Sequence, residues 1–160
     1  MTPTQSTPTM TLTSTAFAEG QTLPRSCTGD AGDVSPAMHW STSPDGTRSF
    51  ALVCRDPDAH AGPFIHWVIY NIPETARGLP ERIATTEQLK DGTVQGRNDF
   101  GSIGYGGPKP PPGKVHRYIF ELYALDAMLP VEPGIDAERL KQLMNGHILG
   151  KSELVGTYRR

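Results

Sequence analysis

The sequence predicts a mostly β fold with a few short helices, on three observations. Seventeen glycines and 15 prolines stand among 160 residues without a repeat period. That composition indicates many turns between short strands rather than collagen or a linker. Two runs, 64–72 and 115–125, are apolar at successive as well as alternate positions, as in strands buried on both faces. Only one segment carries a full set of helix signals, and long helices would not tolerate so many prolines.

The elements follow in chain order. Residues 9–17 alternate loosely, with Met10 and Leu12 on one face, and read as an edge strand. Residues 20–35 form a loop rich in Gly, Asp and Ser. A short apolar strand covers 49–54 and stops at Asp56-Pro57-Asp58, because proline lacks the ladder donor and restricts the residue before it. The strongest strand is 64–72. Strict alternation puts Ile65, Trp67 and Ile69 on one face and His66, Val68 and Tyr70 on the other, which predicts a central strand. Residues 74–92 read as irregular, with one helical turn near Glu87, and 98–113 as a loop dense in glycine and proline. The next strand is 115–125. A helix follows, with Asp136 as N-cap, Ile135 and Leu140 as hydrophobic staple, a Leu140/Leu143/Met144 face and a closing Gly146. The segment 148–158 fits a strand or a second helical turn.

The length fits one domain over residues 1–160, with 1–9 as a flexible leader. The formal net charge of −2 has no basic stripe behind it, which argues against a nucleic-acid binder. No run approaches the roughly 18 apolar residues of a membrane span. The Ser/Thr/Pro-rich start is unlike a secretory signal. A cytoplasmic location is therefore expected, with Cys27 and Cys54 as free thiols.

Three segments hold chemistry-bearing side chains: Asp56-Pro57-Asp58-Ala59, His66-Trp67, and the loop 104–113 followed by His116-Arg117-Tyr118. Alternation puts His116 and Tyr118 on one face and Arg117 on the other, where a structural ion pair suits it, and gives Cys54 and Asp56 a shared face. Each segment alone has a plain structural explanation: an Asx turn, a half-buried histidine, a connector. Together, two buried histidines need partners, and nearby aspartates favour imidazolium. Glycine-loop N–H groups and a Tyr hydroxyl would complete a compact anion site.

On these residues the chain resembles the phosphatidylethanolamine-binding protein family, which includes the Raf kinase inhibitor proteins, and looks like its short bacterial branch. The resemblance runs through Cys27-Thr28-Gly29-Asp30, Ser35-Pro36, Trp40, residues 44–50, Asp56 to Ala59, His66-Trp67, Asn71-Ile72-Pro73, residues 104–112, His116-Arg117-Tyr118 and Gly146 to Leu149. It implies a β-sandwich with a central antiparallel sheet. It also implies a pocket for phosphate, phosphoethanolamine-like headgroups or similar anions, lined by Asp56, Asp58, His66, Gly104, Gly106, Pro108, His116 and Tyr118. Where the family pattern has proline after Asp-Pro-Asp-Ala, this chain has His60. Lys109 stands where bacterial relatives often carry Cys, and Ser35-Pro36-Ala37-Met38 replaces Ser-Pro-Pro-Leu. His60 and Lys109 add positive charge near the mouth.

The leading expectation is therefore a non-catalytic anion-binding protein, without cofactor or metal, linked by the resemblance to a kinase or signalling partner. The oligomeric state, a homodimer included, is left open. One alternative is a metal-dependent phosphoester hydrolase using Asp56, Asp58, His66 and His116. The other is an interaction protein that docks through the Pro108–Pro112 loop.

Overall fold

In the computed structural model, which describes residues 10–160, the strands form two antiparallel sheets. The expected leader at 1–9 and the first residue of the expected edge strand lie outside the described residues. The strands are β1 (Leu12–Thr13), β2 (Met38–Trp40), β3 (Ser49–Asp56), β4 (Phe64–Pro73), β5 (Gly78–Leu79), β6 (Val94–Gln95), β7 (His116–Leu125) and β8 (Ile148–Tyr158); the helix α1 is Ala137–Met144. The small sheet has order β1-β2-β5 and the large sheet β6-β4-β3-β7-β8.

The large sheet is covered on both sides, which explains its doubly apolar strands. One face presents Phe50, Leu52, Cys54, Trp67, Ile69, Tyr118, Phe120 and Leu122 to Met10, Leu12, Met38, Trp40 and Leu79 around the small sheet. The other presents Ala51, Val53, Val68, Tyr70 and Leu125 to Leu129, Ile135, Leu140 and Met144. Asp136 caps α1 by accepting from the Arg139 N–H at 2.8 Å, and Gly146 takes the left-handed conformation (φ 82°) just beyond it.

Several expectations need correction. The edge strand shrinks to Leu12–Thr13, although Met10 and Leu12 do share the buried face. No helical turn forms at Glu87; its carbonyl accepts the Gln95 N–H and the Leu89 N–H bonds Thr93, a hairpin-like return into β6. The segment 148–158 is a long strand throughout. β4 is interior but not central, since β3 holds the middle of the sheet.

The most consequential correction concerns β4. Cys54 pairs with Trp67 but the adjacent Arg55 pairs with Ile65, so His66 is an extra residue in the ladder. Such a bulge sets two residues opposite one and re-aims a side chain. His66 therefore sits on the face of Trp67, while Ile65 packs against the cluster on the opposite face. A second shift between Phe50 and Leu52, near Asn71 in its left-handed conformation (φ 55°), returns Ile72 to the face of Ile69.

Candidate functional site

Asp56 ends β3, His66 lies near the start of β4, and His116 and Tyr118 begin β7. Because these neighbours are antiparallel, all four residues arrive at one end of the large sheet. They line a pocket of about 120 Å³ with Ala59, His60, Phe64, Phe100, Lys109, Pro110 and Pro111. This is below the ~300–1,000 Å³ of sites that enclose a drug-sized ligand, so only a small group fits inside it. A larger groove of about 650 Å³ runs between α1 and the sheet, but no histidine faces it.

The polar groups of the pocket are tightly ordered. His116 Nδ1 lies 2.6 Å from Asp56 Oδ2, and both side chains are buried. The carboxylate accepts, so Nδ1 carries the proton. Asp56 Oδ1 accepts the Asp58 N–H at 2.7 Å. His66 Nδ1 lies 2.6 Å from the Gly106 carbonyl, which can only accept. In both rings Nδ1 is thereby committed, and Nε2 has no hydrogen bond among the described residues. Tyr118 stands edge-on to His66, with ring centroids 5.3 Å apart.

Electrostatics separate these groups. Burial lowers the His66 pKa below its ordinary value, and the opposing pull of the Gly106 carbonyl and of Asp56 does not overcome it. Burial, reinforced by Asp56, pushes the Tyr118 hydroxyl well up, and burial does the same to the Cys54 thiol. Both stay protonated at neutral pH.

Four of the residues implied by the resemblance do not line the pocket. Asp58 is turned to Arg117, accepting its backbone N–H and both guanidinium nitrogens Nε and Nη2 at 2.9 Å. Those hydrogen bonds lower its pKa to about 2. Gly104 (φ 93°) presents its carbonyl to Asn98. Gly106 clasps His66 from behind, its N–H donating to the His66 carbonyl and its own carbonyl accepting from Nδ1. Pro108 is buried, and its carbonyl accepts the Gly29 N–H at 2.8 Å.

The expected cradle of glycine N–H groups is not available. Those of Gly104, Gly106 and Gly107 are bonded to the Gly96 and His66 carbonyls and to Asp33. The expectation of two carboxylates against two imidazoles also fails, since Asp58 points away. Asp58 is thus removed from the set that the hydrolase reading requires, and no group of three metal-ligating side chains is placed to hold a metal among the described residues. The burial of Pro108 likewise withdraws half of the Pro108-x-x-Pro111 ribbon.

Residues that sequence reasoning passed over complete the walls. Asn98 accepts the Phe100 and Ser102 N–H groups and so holds the half-exposed Phe100 ring at the mouth, edge-on to Phe64 at 4.7 Å. The Tyr105 hydroxyl donates to the Cys27 carbonyl, and its ring packs edge-on to Trp67, anchoring the glycine loop. Only an Asn-Asp-x-Gly turn signature hinted at the first of these.

Two facing β sheets with a His/Asp/Tyr pocket at one end define a β-sandwich with a small buried polar site. The chain belongs to the phosphatidylethanolamine-binding protein family, whose sequence pattern matches residues 13–159. It is 46% identical to a UPF0098 protein of Methanothermobacter thermautotrophicus, over 94% of this chain and 99% of that one. It is 42% identical to a UPF0098 protein of Aquifex aeolicus, over 94% and 89%. Among solved structures it resembles the phosphatidylethanolamine-binding protein homologue CT736 of Chlamydia trachomatis (TM-score 0.86, 38% identity, 95% and 98% coverage). It also resembles YBCL of E. coli, described as a member of the mammalian family (TM-score 0.87, 35% identity, 96% and 99% coverage). The relatives are archaeal as well as bacterial, so they do not single out a bacterial branch. No helix among the described residues is long and apolar enough to cross a membrane.

Proposed function

We propose that the pocket is a non-catalytic binding site for a small oxyanion, either free phosphate or the phosphoryl head of a monoester such as phosphoethanolamine. One observation carries the reading: two buried histidines, each tied through Nδ1, face one small pocket with Nε2 uncommitted. When protonated, each Nε2 is a charged donor, the stronger class of hydrogen bond. Asp56 balances charge behind His116, and Lys109 supplies a fixed cation in the lining. The volume accepts a headgroup, and an organic substituent leaves past Phe100.

Binding rather than turnover is supported by what each group is already doing. Both Asp56 oxygens hold hydrogen bonds, the Tyr118 hydroxyl and Cys54 thiol stay protonated, and each histidine is fixed by its partner. None is an activated nucleophile. The kinase or signalling partner implied by the family has no counterpart in a particular surface here, so the proposal is confined to the ligand. Calorimetry with inorganic phosphate tests it: the expected result is saturable one-site binding that His116→Ala weakens by at least tenfold, with no phosphate released from a generic phosphoester. Equal affinity of wild type and variant would remove the pocket from the reading.

A further inference from the structure

Asp33 lies in the 20–35 loop, a stretch that marks no site in the sequence. Its backbone is left-handed (φ 54°), a conformation that Asp tolerates but seldom adopts and that is often retained where a side chain must be aimed. Its N–H is pinned to the Thr28 carbonyl at 3.0 Å, and its Oδ1 accepts the Gly107 N–H at 2.9 Å. That N–H and the Gly106 carbonyl belong to one peptide unit. On the far side of this unit, the Gly106 carbonyl accepts from His66 Nδ1 at 2.6 Å.

The result is a continuous relay: carboxylate, peptide N–H, peptide C=O, imidazole N–H. A hydrogen bond at one end of a peptide polarises the group and strengthens the bond at the other. His116 is oriented by Asp56 directly, and His66 by Asp33 with one peptide interposed. Glycine at 107 is required for this approach: a Cβ there would run into the Cys27 carbonyl oxygen and stand 2.9 Å from Asp33 Oδ1. A Cβ at Gly106 would stand 2.6 Å from the Phe100 ring.

We infer that Asp33 is a positioning residue of the anion pocket, acting on His66 through the Gly106–Gly107 peptide to fix its ring and keep Nε2 available to the ligand. This deepens the reading of the pocket as an oxyanion site and rests on it. Asp33 is an exposed residue, so its direct field at His66 is screened and the hydrogen-bonded peptide is the main route. The carboxylates that act on His66 are Asp56 from β3, Asp99 from the loop beside Phe100, and Asp33.

The test is NMR titration of the His66 ring nitrogens in wild type, Asp33→Asn and Asp33→Ala, paired with calorimetry using inorganic phosphate. Asp33→Asn keeps the shape and an acceptor while removing the charge. It should lower the His66 midpoint by about 0.3–1 pH unit, the scale of one partly screened charge, and weaken phosphate a few-fold. Asp33→Ala should in addition move the Nδ1–H resonance and weaken phosphate further. Should Asp33→Ala fail to fold, the Asn variant carries the test. A His66 midpoint and Nδ1–H resonance unchanged in folded variants would overturn the relay, whatever the phosphate affinity. A His66 response in a wild-type protein that binds no phosphate would leave the relay standing and sink the pocket reading instead.

Discussion

His116 Nδ1 lies 2.6 Å from Asp56 Oδ2, with both residues at most 5% exposed, so neither can lose the other and turn to solvent. Asp56 also accepts from the Asp58 N–H at 2.7 Å. Asp56→Ala therefore orphans both donors, the His116 Nδ1–H and the Asp58 N–H, at once. Each buried donor left without a partner costs about 1–3 kcal/mol. Urea unfolding should show a loss of that order or more, and phosphate binding should disappear in the fraction that still folds. A stability within about 0.5 kcal/mol of wild type, the scatter of a neutral surface change, would mean that the pair is idle.

The lowered pKa of His66 gives two pH dependences of opposite sign. For stability, the folded state binds this proton less readily than the unfolded chain does. The contribution is full above the unfolded value of about 6.5 and declines as pH falls through it toward the lower folded value. For anion binding, the ligand favours imidazolium and raises the His66 value, so affinity rises as pH falls toward the lowered value of the free folded protein. Sulfate is the cleaner probe, because a phosphate monoester has its own second ionisation near about 6. Sulfate affinity and melting temperature should be measured at several pH values between about 5 and 8 at constant ionic strength. Flat affinity would remove proton uptake from binding.

Arg117 offers a control beside the pocket but outside it. It pairs with Asp58 by two guanidinium bonds, but its side chain is 57% exposed. An exposed ion pair is screened by solvent and contributes little, so Arg117→Ala should leave the urea-unfolding midpoint close to that of wild type. Phosphate affinity should stay within about twofold, less than 0.5 kcal/mol. The lowered Asp58 pKa means that the pair's small contribution is present above the usual carboxylate value and is lost as pH falls toward about 2. A tenfold loss of phosphate affinity in Arg117→Ala would put Asp58 back in the pocket.

Leu140 separates fold from site. It is wholly buried where α1 packs on the face of the large sheet away from the small sheet. Leu140→Ala should cost about 2–5 kcal/mol, read by urea unfolding. At a temperature where the variant is still folded, phosphate affinity should match wild type. A matching loss of affinity would show that α1 helps to shape the pocket.

The local rules of the chain were legible where one segment decides its own geometry. Alternation alone puts His116 and Tyr118 on one face and Arg117 on the other, and His116 and Arg117 are buried and exposed accordingly. The α1 cap and its Gly146 stop follow from residue types at fixed offsets. Two-sided apolarity marked β4 and β7 as interior strands, and both are.

The pocket required partners that no local pattern contains. By alternation His66 belongs with Val68 and Tyr70; a bulge formed against Cys54 and Arg55 turns it toward His116. Where a ladder slips depends on how β4 registers against β3, which the alternation within β4 does not contain. The direction of Asp58 is set by Arg117, 59 residues away, and the 106–107 peptide is gripped by Asp33, 74 residues away. The sequence by itself determined which strands bear Asp56, His66, His116 and Tyr118. The tertiary structure decided which of their polar groups remain free, because a hydrogen bond already made within the fold is no longer available to a ligand.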